Sequence, residues 1–214
     1  MEYEAKLKTL GIDSQQVLSF FASFVKQAET EPDNILAPAN VRNETARTDV
    51  SSDNLYPDYF WQAGDGHPLL IRNLFFFHSR LEAACFVHCH RHFLVKQDQF
   101  VMVALGSFIS MAVVKLFLER YPNAAVHTVF PADPVGAVVD CRIGLCREGI
   151  DGKFYFSAEK VLFVNQKKSY EFEAHRFSLQ TLQRRLGRRF LIQVHKPRGG
   201  HHSFYQLLQA HRVA

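Results

Sequence analysis

The sequence predicts an α/β fold: a central, mostly parallel sheet flanked by helices, with an N-terminal helical arm and a small β-rich insertion. Three observations lead there. Residues 73–77, 100–105 and 125–130 are short, mostly apolar runs, the pattern of strands covered on both faces. Between them lie longer stretches with helical spacing, at 81–93 and 109–121, so the order is strand, helix, strand, helix, strand. Finally, 47% of the chain is hydrophobic and 20 residues are Phe, which supplies a core rich in rigid aromatics and excludes a wholly disordered or collagen-like chain.

Taken in order, residues 1–57 form an N-terminal helix and polar arm, and 58–214 form the α/β domain. Asp13 or Ser14 can cap a helix over 14–27 whose apolar face carries Val17, Leu18, Phe20, Phe21, Phe24 and Val25. Residues 28–57 are polar, contain Pro32, Pro38 and Pro57, and keep no period. The runs 59–62 and 69–72 flank a Gly-rich stretch and read as a hairpin. After the first strand at 73–77, the helix at 81–93 and the strand at 100–105, the helix at 109–121 ends at Pro122-Asn123. The third strand, 125–130, leads into a helix at 135–146. Short β-like runs at 153–156, 161–165 and 170–173 make up the insertion near 150–175. A helix at 179–186, a strand at 189–194 and a last helix from about 203 to 211 complete the reading.

The charge is unevenly distributed. Residues 1–107 carry 9 Lys+Arg against 13 Asp+Glu, a net of −4, whereas 108–214 carry 16 against 8, a net of +8. The basic C-terminal segment 174–214 holds eight Lys/Arg and five His in 41 residues, without one Asp or Glu. Such a segment suits a polyanion, and equally a solvated basic face with no partner. No apolar stretch reaches the roughly 18 residues of a membrane span. Met1-Glu2-Tyr3-Glu4 lacks the basic start of a secretory leader, and four scattered Cys make no disulfide framework. A soluble, cytoplasmic protein without a membrane partner is expected.

Two groups of residues could carry chemistry. On a helix, Cys85, His88, Cys89 and His92 share one face, which invites zinc. Yet one straight helix offers a single ion two or three ligands, and buried Cys serves equally as a small hydrophobe. The other group gathers at the strand ends: His78-Ser79 with Glu82-Ala83, Gly106-Ser107, and Pro131-Ala132-Asp133-Pro134-Val135-Gly136. In open parallel sheets functional groups collect at the carboxyl ends of strands, where carboxylates hold divalent cations for phosphoryl transfer.

Residues 73–147 resemble the Toprim domain of primases, topoisomerases and mobile-element proteins. His78-Ser79 stands at the family's Glu-Gly, Glu82-Ala83 at its Asp-Ala, Gly106-Ser107 at its Gly-Thr/Ser, and Asp133 with Gly136 at its Asp-x-Asp-x-x-Gly, the first Asp being Pro131. His202-Ser203-Phe204-Tyr205-Gln206-Leu207-Leu208 is similar in shape to the Lys-Asp-Trp-Asn ending of some Toprim-like proteins of Bacteroidetes mobile elements. The resemblance implies catalytic roles for His78, Glu82 and Asp133, with His78 a candidate general base, and backbone roles for Gly106, Ser107 and Gly136. It also implies a degenerate copy, because most of the family's carboxylates are missing. No cofactor and no metal site is expected, with at most weak Mg²⁺ binding at Asp133.

Arg184, Arg185, Arg188 and Arg189, four Arg in six residues, with Lys196 and Arg198 beyond them, can fork onto phosphate oxygens. Cations at a helix C-terminus also complement its dipole. Phe177, Phe190, Phe204 and Tyr205 suit stacking on unpaired bases or, equally, a core. The expectation is a DNA- or RNA-binding Toprim-like protein without the usual metal-dependent catalysis, in replication or mobilisation of a mobile element. Two alternatives stand beside it: a metal-dependent phosphoryl-transfer enzyme or nuclease using Asp133 and Glu82, and an interaction module whose basic surface docks on a protein partner.

Overall fold

The computed structural model describes residues 7–12, 60–64, 66–92, 99–106, 109–157, 159–166 and 168–211, with the backbone of 212 and 213. The expected helix at 14–27, the arm at 28–57 and Ser107 lie outside the described residues. Strands β1 (Trp61–Ala63), β2 (Asn73–Phe77), β3 (Phe100–Ala104), β4 (Ala125–Val129) and β8 (Ile192–Val194) form a five-stranded sheet in the order β1-β3-β2-β4-β8. β3, β2, β4 and β8 pair in parallel, and β1 runs antiparallel on the β3 edge. A second, antiparallel sheet holds β5 (Lys153–Phe156), β6 (Lys160–Asn165) and β7 (Lys168–Glu173) in that order. The fold is α/β, with the β-rich insertion as a separate small sheet.

One expectation fails. Among the described residues the expected hairpin of 59–62 with 69–72 is not formed: β1 pairs with β3, its Trp61 opposite Ala104, while 68–70 is a turn. The reason lies in burial. Ala63 and Phe60 are buried in the main core, whereas Leu69 and Leu70 are exposed, so the first run finds its partner at the sheet edge rather than in its chain neighbour. The strand expected at 189–194 is also shorter and begins at Ile192.

Alternation along the central strand sorts the core into two layers. Phe75 and Phe77 of β2 pack with α1 (Arg80–Cys89), while Leu74 and Phe76 pack with α2 (Met111–Arg120) and α3 (Pro134–Arg147). The outer side of α3 meets the small sheet and α4 (Leu179–Leu186) through Ala137, Cys141 and Leu145 against Phe163, Phe177, Leu182 and Phe190. α5 (Phe204–Val213) lies on α1, with Phe204 edge-on to Phe86 at 5.2 Å. Each helix start has its local signal. Ser79, Ser110 and Asp133 accept from the third N–H of α1, α2 and α3, and Ser178 with Thr181 forms a capping box on α4.

The topology positions the site. β2 is central, its first crossover leads to β3 on one side, and the next returns over β2 to β4 on the other. The carboxyl ends of β2 and β4 therefore border the switch point where open α/β sheets place their functional groups. Two of the motif glycines serve this edge. Gly106 turns the chain after β3 at φ 74°, and its N–H donates to the His78 carbonyl at 3.1 Å. At Gly136 a Cβ would collide with the Pro131 carbonyl, so glycine lets the start of α3 close against the end of β4.

Candidate functional site

The carboxyl edge of the sheet is crossed by residues 195–203, the link between β8 and α5. The segment is fastened at four places. The His195 N–H donates to the Thr128 carbonyl at 2.9 Å, and its ring Nε2 lies 2.9 Å from His127 Nδ1. Lys196 Nζ reaches Asp140 Oδ2 at 2.7 Å and donates to the carbonyls of Phe130 and Pro131 at 3.0 and 2.9 Å. His202 accepts the Ala132 N–H on its carbonyl at 2.8 Å and brings Nε2 to 3.0 Å from Asp133 Oδ2. Glu82 accepts the N–H groups of Phe204 and Tyr205 at 2.6 and 3.3 Å, which are the amides that the start of α5 leaves without helical partners.

Each carboxylate here is thus spent on structure. Glu82 is buried, and burial pushes its carboxyl up while the two backbone N–H groups and nearby His202 pull it down. A carboxylate at a helix N-terminus also gains from the helix dipole. Asp133 caps α3, its Oδ1 accepting from Gly136 N–H at 2.5 Å, and its other oxygen faces His202. Asp140, only 1% exposed, is raised by burial, against the pull of Lys196; the Thr128 hydroxyl adds a weaker favourable contact outside hydrogen-bond geometry. With three oxygen acceptors around it, the Lys196 ammonium is satisfied on all its protons.

A file of histidines lies beneath this segment. His127 of β4, 3% exposed, stacks on Phe75 at 4.3 Å, places Nε2 3.1 Å from Asn73 Oδ1 and Nδ1 2.9 Å from His195 Nε2. Because the Asn73 oxygen can only accept, the His127 proton sits on Nε2, and Nδ1 accepts from His195 Nε2–H. Burial, with His195 beside it, pushes His127 down to about 4; burial, with His90 and His92 nearby, does the same to His195. Both rings are neutral at pH 7.

His78 is exposed at the end of β2, where its carbonyl serves Gly106. Glu82 and Asp133 lie on either side of the 202–205 segment and both hold it. These residues do not fit the divalent cation that the resemblance implies. A hard cation needs several free oxygens, while Glu82 is committed to two amides and Asp133 to a helix cap and an imidazole. Among the described residues no three His, Cys, Asp or Glu side chains are grouped to hold a metal ion. In the Cys/His cluster, Cys85 is fully buried in the core, where burial pushes its thiol up, and Cys89 is exposed.

The expected phosphate-binding residues divide in two. Lys196 turns inward to Asp140. Arg184 and Arg185 in the last turn of α4, Arg188 and Arg189 after the left-handed Gly187, and Arg198 on the crossing segment are all exposed. Among the described residues none of these five guanidiniums is in an ion pair. Phe177, Phe190 and Phe204 are buried in the core. The sequence reading missed Asp140 and the His127–His195 pair, since their partners lie 56 and 68 positions away and share no motif with them.

Comparison with known proteins adds no identity: no family model, no curated protein and no solved structure matches the chain. No helix among the described residues is long and apolar enough to cross a membrane.

Proposed function

We propose that this protein binds nucleic acid through the arginine surface at the end of α4, as a Toprim-like α/β domain whose carboxylates maintain structure instead of holding a catalytic metal. The observation that carries the reading is the set of five exposed guanidiniums, Arg184, Arg185, Arg188, Arg189 and Arg198, that meet no carboxylate among the described residues. In a segment without a single Asp or Glu, their charge is left for an external anion, and guanidinium forks match phosphate oxygens. Replication or mobilisation of a mobile element is the setting that the resemblance suggests for such a domain.

The test is a binding titration of single-stranded DNA, duplex DNA and RNA across a salt series, with and without Mg²⁺. Affinity is expected to fall on a log–log plot with a slope of roughly −0.7 to −0.9 per phosphate neutralised. It is expected to depend little on sequence, since phosphate contacts carry no base information. Mg²⁺ beyond its ionic-strength effect changes nothing, and no strand is cut. Salt-independent binding, or none, overturns the proposal.

A further inference from the structure

Beside the arginine surface lies a cleft of about 500 Å³, within the range of small-molecule sites. One wall is the first turns of α3, with Ala137; another is the start of α4, with Leu179, Gln180 and Gln183; the third runs from Arg189 through Ile192 to Lys196. Phe177 and Phe190 close its back, leaving only 6% and 3% of their surfaces exposed.

The chemistry inside differs from that at the mouth. Lys196 and Asp140 neutralise each other at 2.7 Å, and among the described residues the remaining interior groups are acceptors, Asp133 and the unpartnered buried Oδ1 of Asp140, so the interior offers no free cation to a bound anion. An anionic group pushed in would lose its hydration for nothing. A flat, neutral group with mixed donors and acceptors fits better. Apolar surface comes from Ala137, Leu179, Phe177, Phe190 and Ile192. Gln183 donates Nε2 to the Phe190 carbonyl and keeps its own amide oxygen as an acceptor, and Gln180 adds an exposed amide. At the mouth, exposed Arg189 belongs both to the cleft lining and to the arginine cluster.

A group neutral within and anionic outside describes one nucleotide. We propose that the cleft takes the unpaired base of a nucleotide whose phosphate lies against Arg189. The strand's neighbouring phosphates then follow Arg188, Arg185 and Arg184. This deepens the nucleic-acid reading and rests on it. It makes the protein a reader of single strands, because a base in a duplex is stacked and paired and costs a few kcal/mol to extrude.

The experiment compares single-stranded and duplex oligonucleotides of matched charge, with the full chain. A preference of at least tenfold for the single strand is expected. A nucleoside monophosphate at millimolar concentration should displace the single strand and leave the duplex bound, whereas inorganic phosphate should displace neither selectively. Ala137→Leu, which narrows the cleft, and Gln180→Glu, which adds a negative charge at a helix start that tolerates it, should each reduce the preference at least threefold. The salt slope on duplex should stay within one phosphate equivalent. If Ala137→Leu fails to fold, Gln180→Glu decides alone. Equal affinity for both strand types, or an unchanged preference in the folded variants, overturns the cleft while leaving the arginine surface standing. Loss of all salt-dependent binding would instead overturn the surface.

Discussion

Two polar regions of this protein sit within the same C-terminal segment and are built in opposite ways. At the carboxyl edge of the sheet, Glu82, Asp133 and Asp140 each have a partner on residues 196–205. At the end of α4, Arg184, Arg185, Arg188 and Arg189 point outward and meet no carboxylate among the described residues. The first region resembles a catalytic edge in residue type, but each of its three carboxylates is engaged by the chain through at least one oxygen, with Asp140 Oδ1 left buried and unpartnered among the described residues. The second has no catalytic residue type and retains its bonding capacity. Functional readiness depends on which polar groups are both exposed and unpaired, more than on which residues cluster at a favoured place in the fold.

That contrast can be broken most forcefully at Lys196. Removing its ammonium leaves Asp140 buried without a counter-charge, and Lys196→Met should cost about 3–5 kcal/mol in urea unfolding. Adding Asp140→Leu to Lys196→Met should recover much of that loss, since an apolar pair often replaces a buried ion pair without penalty. Substituting Arg188 with Ser should stay within about 0.5 kcal/mol of the parent, as exposed positions generally do. Equal losses at Lys196 and Arg188 would erase the distinction between the two regions.

The next effect is on pH. His127 and His195 are each held near 4 against about 6.5 in an unfolded chain. Between those values the unfolded state binds more protons, so stability is full above pH 6.5 and is lost as pH falls toward 4. One proton forced into the pair corresponds to about 3 kcal/mol at 1.36 kcal/mol per pKa unit. His127→Gln should flatten the unfolding free energy over this window, and an unchanged slope would contradict the buried neutral pair.

A smaller loss is expected at Glu82. Glu82→Gln keeps the shape but weakens two hydrogen bonds to the start of α5, for about 1–3 kcal/mol. Its hydrogen-exchange signature should be faster exchange confined to 204–213, whereas a loss spread evenly over the sheet would argue against the cap. The smallest effect belongs to Mg²⁺. Calorimetric titration should show no submillimolar site, and one that disappears in Asp133→Ala would return the edge to catalysis.

Much of this architecture was legible in the sequence. The runs at 73–77, 100–105 and 125–130 announce buried parallel strands because no polar residue but Asn73, His127 and Thr128 interrupts them. Apolar spacing put helices at 81–93, 135–146 and 179–186, while the caps at Ser79, Asp133 and Ser178 that fix their starts came only with the structure. β1 was misread because its partner is set by burial at the sheet edge, 39 to 43 positions away at Ala104–Met102. The site was legible as a list of positions and opaque as chemistry. Glu82 and Asp133 were found at the strand ends, but their service to Phe204 and His202 follows from a tertiary path that no local pattern encodes. Lys196 looked like one more basic residue until Asp140, on α3, claimed it.

The most direct measurement is salt-dependent nucleic-acid binding by the variant with Arg184, Arg185, Arg188 and Arg189 all replaced by Ser, paired with its thermal unfolding. These side chains are exposed, so the melting temperature should remain close to the parent's. Affinity should fall uniformly across sequences, and the log–log salt slope should shrink by roughly 0.7 to 0.9 for each phosphate contact removed. A variant that melts like the parent and keeps both its affinity and its slope would contradict the account, leaving the arginine surface as a solvated face.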